Sequence, residues 1–165
     1  MRETFQEYSA RMLSLSEGHD PFEVLETTAD RIERLIDGRR LEDLRRAPAP
    51  GVWSVAEIVS HLADAEIVFA YRIRMILSTP GTPIQAFNQD NWSKAMRAEA
   101  SDPRDSLALF RPIRASMVRL LRGLGDEELD RFGIHAERGR ESVRHLIRFY
   151  AGHDRNHLAQ IERLV

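Results

Sequence analysis

The sequence contains no cysteine, which excludes disulfides, thiolate metal sites, iron–sulfur clusters and a cysteine nucleophile of its own. Lysine is almost absent: Lys94 is the single lysine among 24 basic residues. Arginine keeps its charge when partly buried and pairs bidentately with carboxylates, so numerous Arg–Asp and Arg–Glu contacts are expected. Neither charge dominates, since 26 acids offset the bases to a net −2. A nucleic-acid module carries a basic excess or stripe. Here the pairs Arg39-Arg40 and Arg45-Arg46 are separated by Glu42 and Asp43, so no nucleic-acid partner is expected. No apolar run approaches the roughly 20 residues that cross a bilayer, so no membrane span is expected. The opening MRETFQEYSARM carries acids and lacks a signal peptide's apolar stretch. A cytoplasmic location is the expectation.

No segment alternates as a strand does, and there are no repeats or low-complexity tracts. What is present is helical periodicity along nearly all 165 residues, at 42% hydrophobic and 30% charged. That fits one globular domain, residues 1–165. Phe5, Tyr8, Met12 and Leu15 recur at helical spacing, so residues 1–16 read as an N-terminal helical extension. Asp20 followed by Pro21 and Glu23 starts a second helix that turns Leu25, Ile32, Leu35 and Ile36 inward and stops at Gly38. After the rigid Ala47–Gly51 connector, Ser54 and Glu57 form a capping box, with Trp53 and Ile58 placed as a hydrophobic staple. That helix is expected over residues 55–77. An irregular stretch follows, with a short helix ending near Ala100. A helix opened by Asp102 and Pro103 should kink at Pro112 and reach Leu121. The last is expected over residues 141–164, after a loop from Gly133 to Gly139. The fold class expected is an all-α four-helix bundle with a long crossover between its second and third main helices.

Six histidines remain to be placed. His153 and His157 are four residues apart, so their rings can converge on one ion. Both lie at the edge of the stripe formed by Leu146, Ile147, Tyr150, Leu158, Ile161 and Leu164, facing the bundle interior or its rim. His61 lies seven residues into its helix, and His157 lies seven residues before the expected end of the last one. At 1.5 Å per residue each is about 10 Å from that terminus, so antiparallel packing brings them to one level. Three imidazoles from two helices would make an open metal site. His145 is about 12 Å along the axis from His153 and on the polar face, too far to share an ion. His19 and His135 fall in expected loops, and the loop of His135 is placed to close over the site.

Two acids point into apolar stripes. Glu66 is expected to form a buried ion pair with an arginine of a neighbouring helix such as Arg114. For Asp154 two roles stay open: a catalytic one, orienting a ligand or accepting a proton beside the metal, and a structural one. Asp64 follows His61 by three residues but points further out. Gln160 is placed either to hydrogen-bond near the site or to be exposed.

The blocks WSVAEIVSHLADAE (53–66) and HDRNHLAQI (153–161), with HAERG (135–139) between them, resemble the DinB/YfiT-like superfamily over about residues 20–165. The resemblance implies a four-helix bundle with a crossover, often homodimeric. It also implies a divalent metal, zinc or nickel, on His61, His153 and His157, and a small-molecule substrate. Some relatives are thiol-dependent transferases that activate bacillithiol or mycothiol as a metal-bound thiolate. The leading expectation is therefore a metal-dependent thiol transferase acting on small electrophiles. Metal-assisted hydrolysis through metal-bound water, and a non-catalytic metal-binding bundle serving dimerisation or partner binding, are the alternatives.

Overall fold

A computed structural model describes residues 3–165; the first two residues of the expected extension lie outside them. Helix α1 (Phe5–Ser16) is capped by a Thr4–Glu7 box, and α2 (Pro21–Ile36) is capped by Asp20. A single turn, α3 (Leu41–Leu44), precedes α4 (Val55–Ser78), which starts on the expected Ser54–Glu57 capping box. A cap of this kind contributes about 1 kcal/mol by satisfying amides that the first turn leaves unpaired. Then come strand β1 (Pro83–Ile84), α5 (Gln89–Ala95), a 3₁₀ turn at Ala98–Ala100, α6 (Pro103–Arg122) and the single turn α7 (Asp126–Leu129). Strands β2 (Phe132–His135) and β3 (Gly139–Ser142) lead into α8 (Val143–Leu164). Among the described residues no helix is long and apolar enough to cross a membrane.

Four long helices, α2, α4, α6 and α8, carry the core, and contacts between them fix their directions. Glu66 of α4 meets Asp154 of α8 through Arg114, and Phe69 stacks on Tyr150, so α4 and α8 run antiparallel. Ser101, just before α6, bonds the carbonyl of Ala56 near the start of α4, while Arg114 reaches Glu66 further along both. Helices α4 and α6 are therefore parallel. Consecutive parallel helices require the chain to travel back along the bundle, and residues 79–102 make that return. Arg111 of α6 pairs with Asp30 and Glu33 of α2, and Arg122 with Glu26, which sets those two helices antiparallel. These bridges, with Arg31–Glu162 and Arg144–Asp126, are the arginine–carboxylate contacts that the composition led one to expect.

Helix α6 continues through Pro112. Pro112 and Ala108 are both exposed, so the carbonyl that loses its donor meets water.

Two features depart from the sequence reading. The expected loop from Gly133 to Gly139 is a β-hairpin, β2 antiparallel to β3, with Gly139 at φ +78° turning the chain. Strand β1, from the crossover, pairs parallel with β2 and completes a small three-stranded sheet. The hairpin displaces the start of the last helix to Val143. Helix α1 is also more than an appendage. Met12 is 0% exposed against α8, and Tyr8 packs edge-on to Phe149.

Candidate metal centre

The antiparallel packing of α4 and α8 brings His61, His153 and His157 to one level. Each offers one ring nitrogen, and these nitrogens lie within 4.8 Å of one another. The Nε2 atoms of His61 and His153 are 3.0 Å apart. A tetrahedral zinc with nitrogen ligands separates them by about 3.3 Å, so the observed spacing needs an adjustment of a few tenths of an ångström. The donor set fits a divalent ion. Burial pushes the pKa of His61 and His153 well below the usual value, and that of His157 down to about 4. All three rings are thus neutral at pH 7, the form that ligates metals.

Neighbouring side chains orient the rings. Gln160 Oε1 lies 2.8 Å from His157 Nδ1 and accepts its proton, which leaves the Nε2 lone pair free. Trp53 stacks near His157 and tilts against His61, and Phe87 from the crossover is also stacked with His61, ring centroids 6.4 Å apart. Trp53, read from sequence as a staple, is thus also a wall of the cluster.

Beneath the histidines, Arg114 is buried between two carboxylates. It bonds Glu66 Oε2 through Nε and Nη2, both oxygens of Asp154, and the carbonyl of Leu25. This is the ion pair expected for Glu66. Burial raises the Glu66 pKa, and Arg114 partly offsets that. Both oxygens of Asp154 are engaged with Arg114, and the residue is fully buried.

The histidine cluster opens into a cavity of about 570 Å³. Its walls include His61 and His153, Phe87 from the crossover, Tyr8 of α1, Phe149 and Tyr150 of α8, and His135. His135 is not in a loop; it ends β2 and is 2% exposed. Burial, with Arg138 nearby, lowers its pKa to about 4. Asp64 is half-buried and outside the cluster, and His145 lies near Glu141 instead.

Among the cavity residues not singled out from sequence is Arg72, 5% exposed. It follows His61 by eleven residues, three helical turns on nearly the same face, and that spacing was the available signal.

A family profile described as the DinB superfamily matches residues 24–161. The chain belongs to the DinB superfamily. Within it, the chain is 26% identical over 160 residues to YfiT of Bacillus subtilis, covering 96% of this chain and 90% of that one. It is 25% identical over 151 residues to OB0413 of Oceanobacillus iheyensis, covering 91% and 86%. Both relatives are provisionally named metal-dependent hydrolases. The solved structure of YfiT, described as a probable metal-dependent hydrolase with an unusual four-helix bundle topology, superposes with a TM-score of 0.80. That match is at 27% identity and covers 87% of this chain and 83% of YfiT. The all-α DinB-like fold is thereby established for this chain.

Proposed function

We propose that this DinB protein is a metal-dependent hydrolase of small molecules, with His61, His153 and His157 as its metal ligands. The observation that carries the reading is the convergence of three neutral, buried imidazoles, two of which, His61 and His153, line an open cavity of small-molecule size. The names of the similar proteins support water rather than a thiol as the nucleophile. The order of the sequence-based alternatives is therefore reversed, with hydrolysis ahead of thiol transfer.

A divalent ion held by His61, His153 and His157 would keep its full charge on three neutral ligands and would supply Lewis acidity for hydrolysis. The chain's own residues supply the rest. Gln160 holds His157 in the tautomer that presents Nε2. Trp53 and Phe87 cover the imidazole faces and restrict water around them. Asp154 acts as a positioning residue in this reading: through Arg114 it ties α8, one residue from His153, to Glu66 of α4.

The test begins with metal content by mass spectrometry on untagged protein beside His157→Ala. About one equivalent of zinc or nickel is expected in the wild type and none in the variant. The loaded protein is then offered ester and amide panels, and separately an electrophile with bacillithiol or mycothiol. Metal-dependent turnover without thiol supports hydrolysis. Turnover only with thiol overturns it in favour of transfer, and metal binding without any turnover favours the non-catalytic bundle. A wild type that takes up neither metal sinks both enzyme readings.

A further inference from the structure

Among the described residues two arginines are buried, and their surroundings differ. Arg114 has two carboxylates. Arg72 has none among the described residues: its Nη2 donates to the carbonyl of Gln85 at 2.7 Å, and its Nε is buried without a partner. A buried guanidinium lacking a counter-charge is costly, because desolvation is not repaid by an anion. The crossover carbonyl satisfies one of its five donors.

His135 sits opposite. Its Nδ1 accepts the backbone N–H groups of Glu137 and Arg138, at 3.1 and 3.3 Å. The ring proton is therefore on Nε2. That Nε2–H lies 3.5 Å from Arg72 Nη2. Both atoms are donors and cannot bond each other. Two donors from different elements, buried and facing one another on the wall of the cavity that also holds His61 and His153, require an acceptor between them.

We propose that Arg72 and His135 form the anion-binding end of the substrate cavity, and that the substrate carries a carboxylate there. This rests on the hydrolase reading for what happens at the other end, but binding of the acid does not. Arg72 lies about 16 Å beyond His61 along α4, and its side chain tilts back toward the start of that helix. The Phe87 ring lies 5.8 Å from the Arg72 guanidinium carbon and 6.4 Å from the His61 ring, so one small acid can reach both ends. Its body meets Phe87, Phe149, Tyr8 and Tyr150, an aromatic lining that fits an aryl or alkyl chain. The acids of the cavity wall, Glu3, Asp90 and Glu137, are exposed, and Glu3 is already paired with Arg11. The cationic group is the buried one.

The experiment is calorimetric titration with 3-phenylpropionate and with its uncharged amide, on zinc-loaded and on zinc-free protein. The acid is expected to bind both forms, and about tenfold or more tighter than the amide, as charge-assisted bonds to a desolvated guanidinium require. Arg72→Gln should abolish that preference while leaving zinc stoichiometry unchanged. Arg72→Lys, which keeps charge but loses the planar fork, should retain part of it. His135→Phe, a variant on a different element, should weaken the acid alone, and keeps the test open if Arg72→Gln does not fold. Equal binding of acid and amide, an acid preference that survives Arg72→Gln, or acid binding only when zinc is present would each overturn the proposal. Acid binding without any ester turnover would leave the anion site standing and remove the hydrolase reading.

Discussion

Gly152 of α8 lies directly beneath the carbonyl of Met12 in α1. A Cβ built on Gly152 would sit 1.7 Å from that oxygen, well inside any van der Waals contact. The two backbones approach so closely that only glycine fits, because the nearest atoms a Cβ would meet are the backbone of Met12 and not the end of a flexible side chain. Gly152 also immediately precedes His153, so the packing of α1 and the position of a proposed metal ligand share one peptide unit.

Gly152→Ala is therefore expected to lift α1 from α8. Forced overpacking costs about 1–3 kcal/mol and more where backbone must shift, and here the obstacle is backbone. A fall in the urea midpoint and faster proteolytic cleavage within residues 3–16 would register it. Metal affinity should drop in parallel, because α1 forms one wall of the cavity. An alanine variant of wild-type stability would show that α1 is not docked in this way.

Much of this arrangement is legible in sequence, for physical reasons particular to each element. Caps announce helix starts through side chains adjacent in the chain, so Asp20, Ser54 and Asp102 mark α2, α4 and α6. The histidine cluster was legible because helical spacing converts position into face and depth. The pairing of Glu66 with Arg114 followed because an acid in an apolar stripe needs a cation. The small sheet was not legible. Strand β1 is two residues long, and its partner is some fifty residues away, so no local alternation could mark it. Arg72 escaped because arginines on helices usually face solvent. Its burial depends on the crossover carbonyl of Gln85, which only the folded chain supplies.

The buried group of Arg114, Glu66 and Asp154 gives the second prediction. Burial pulls the Arg114 pKa down, but the two carboxylates outweigh it and leave it raised. Arg114→Met strands both carboxylates in the core and should destabilise the protein by about 3–5 kcal/mol. Adding Glu66→Leu and Asp154→Leu to that variant removes the stranded charges and should recover most of the loss. Denaturant titrations of the single and triple variants check this. A triple variant as unstable as the single one would mean that packing, not charge, is at stake.

Gln160 gives the third. Its Oε1 fixes the His157 ring through Nδ1, and such outer hydrogen bonds typically change metal affinity 10–100-fold. Gln160→Leu should weaken zinc binding by about that factor while the melting temperature of the metal-free protein changes little. Gln160→Glu, a stronger acceptor at the same place, should bind zinc at least as tightly as wild type. Competition against a chromophoric chelator measures both.

The last concerns pH. In the metal-free fold His157 titrates at about 4, and His61 and His153 also lie well below 6.5, because burial disfavours the charged ring. In the unfolded chain each returns to the ordinary 6.5. Between these limits the unfolded state binds more protons than the folded one, so stability rises with pH across the window. The full stability is present above about pH 6.5 and is lost progressively as pH falls toward 4. At pH 5 the His157 ring alone should cost on the order of 2 kcal/mol, from a shift of this size at about 1.4 kcal/mol per pH unit. Urea midpoints of metal-free protein should thus fall steeply from pH 7 to pH 5, and less steeply in His157→Ala. The same depressed pKa values mean that the folded protein has few protons to release when zinc enters at pH 7. Calorimetry in buffers of different ionisation enthalpy should show little proton release. Release approaching one proton per histidine would mean that the rings are charged before metal arrives, and that the site is not desolvated as its burial indicates.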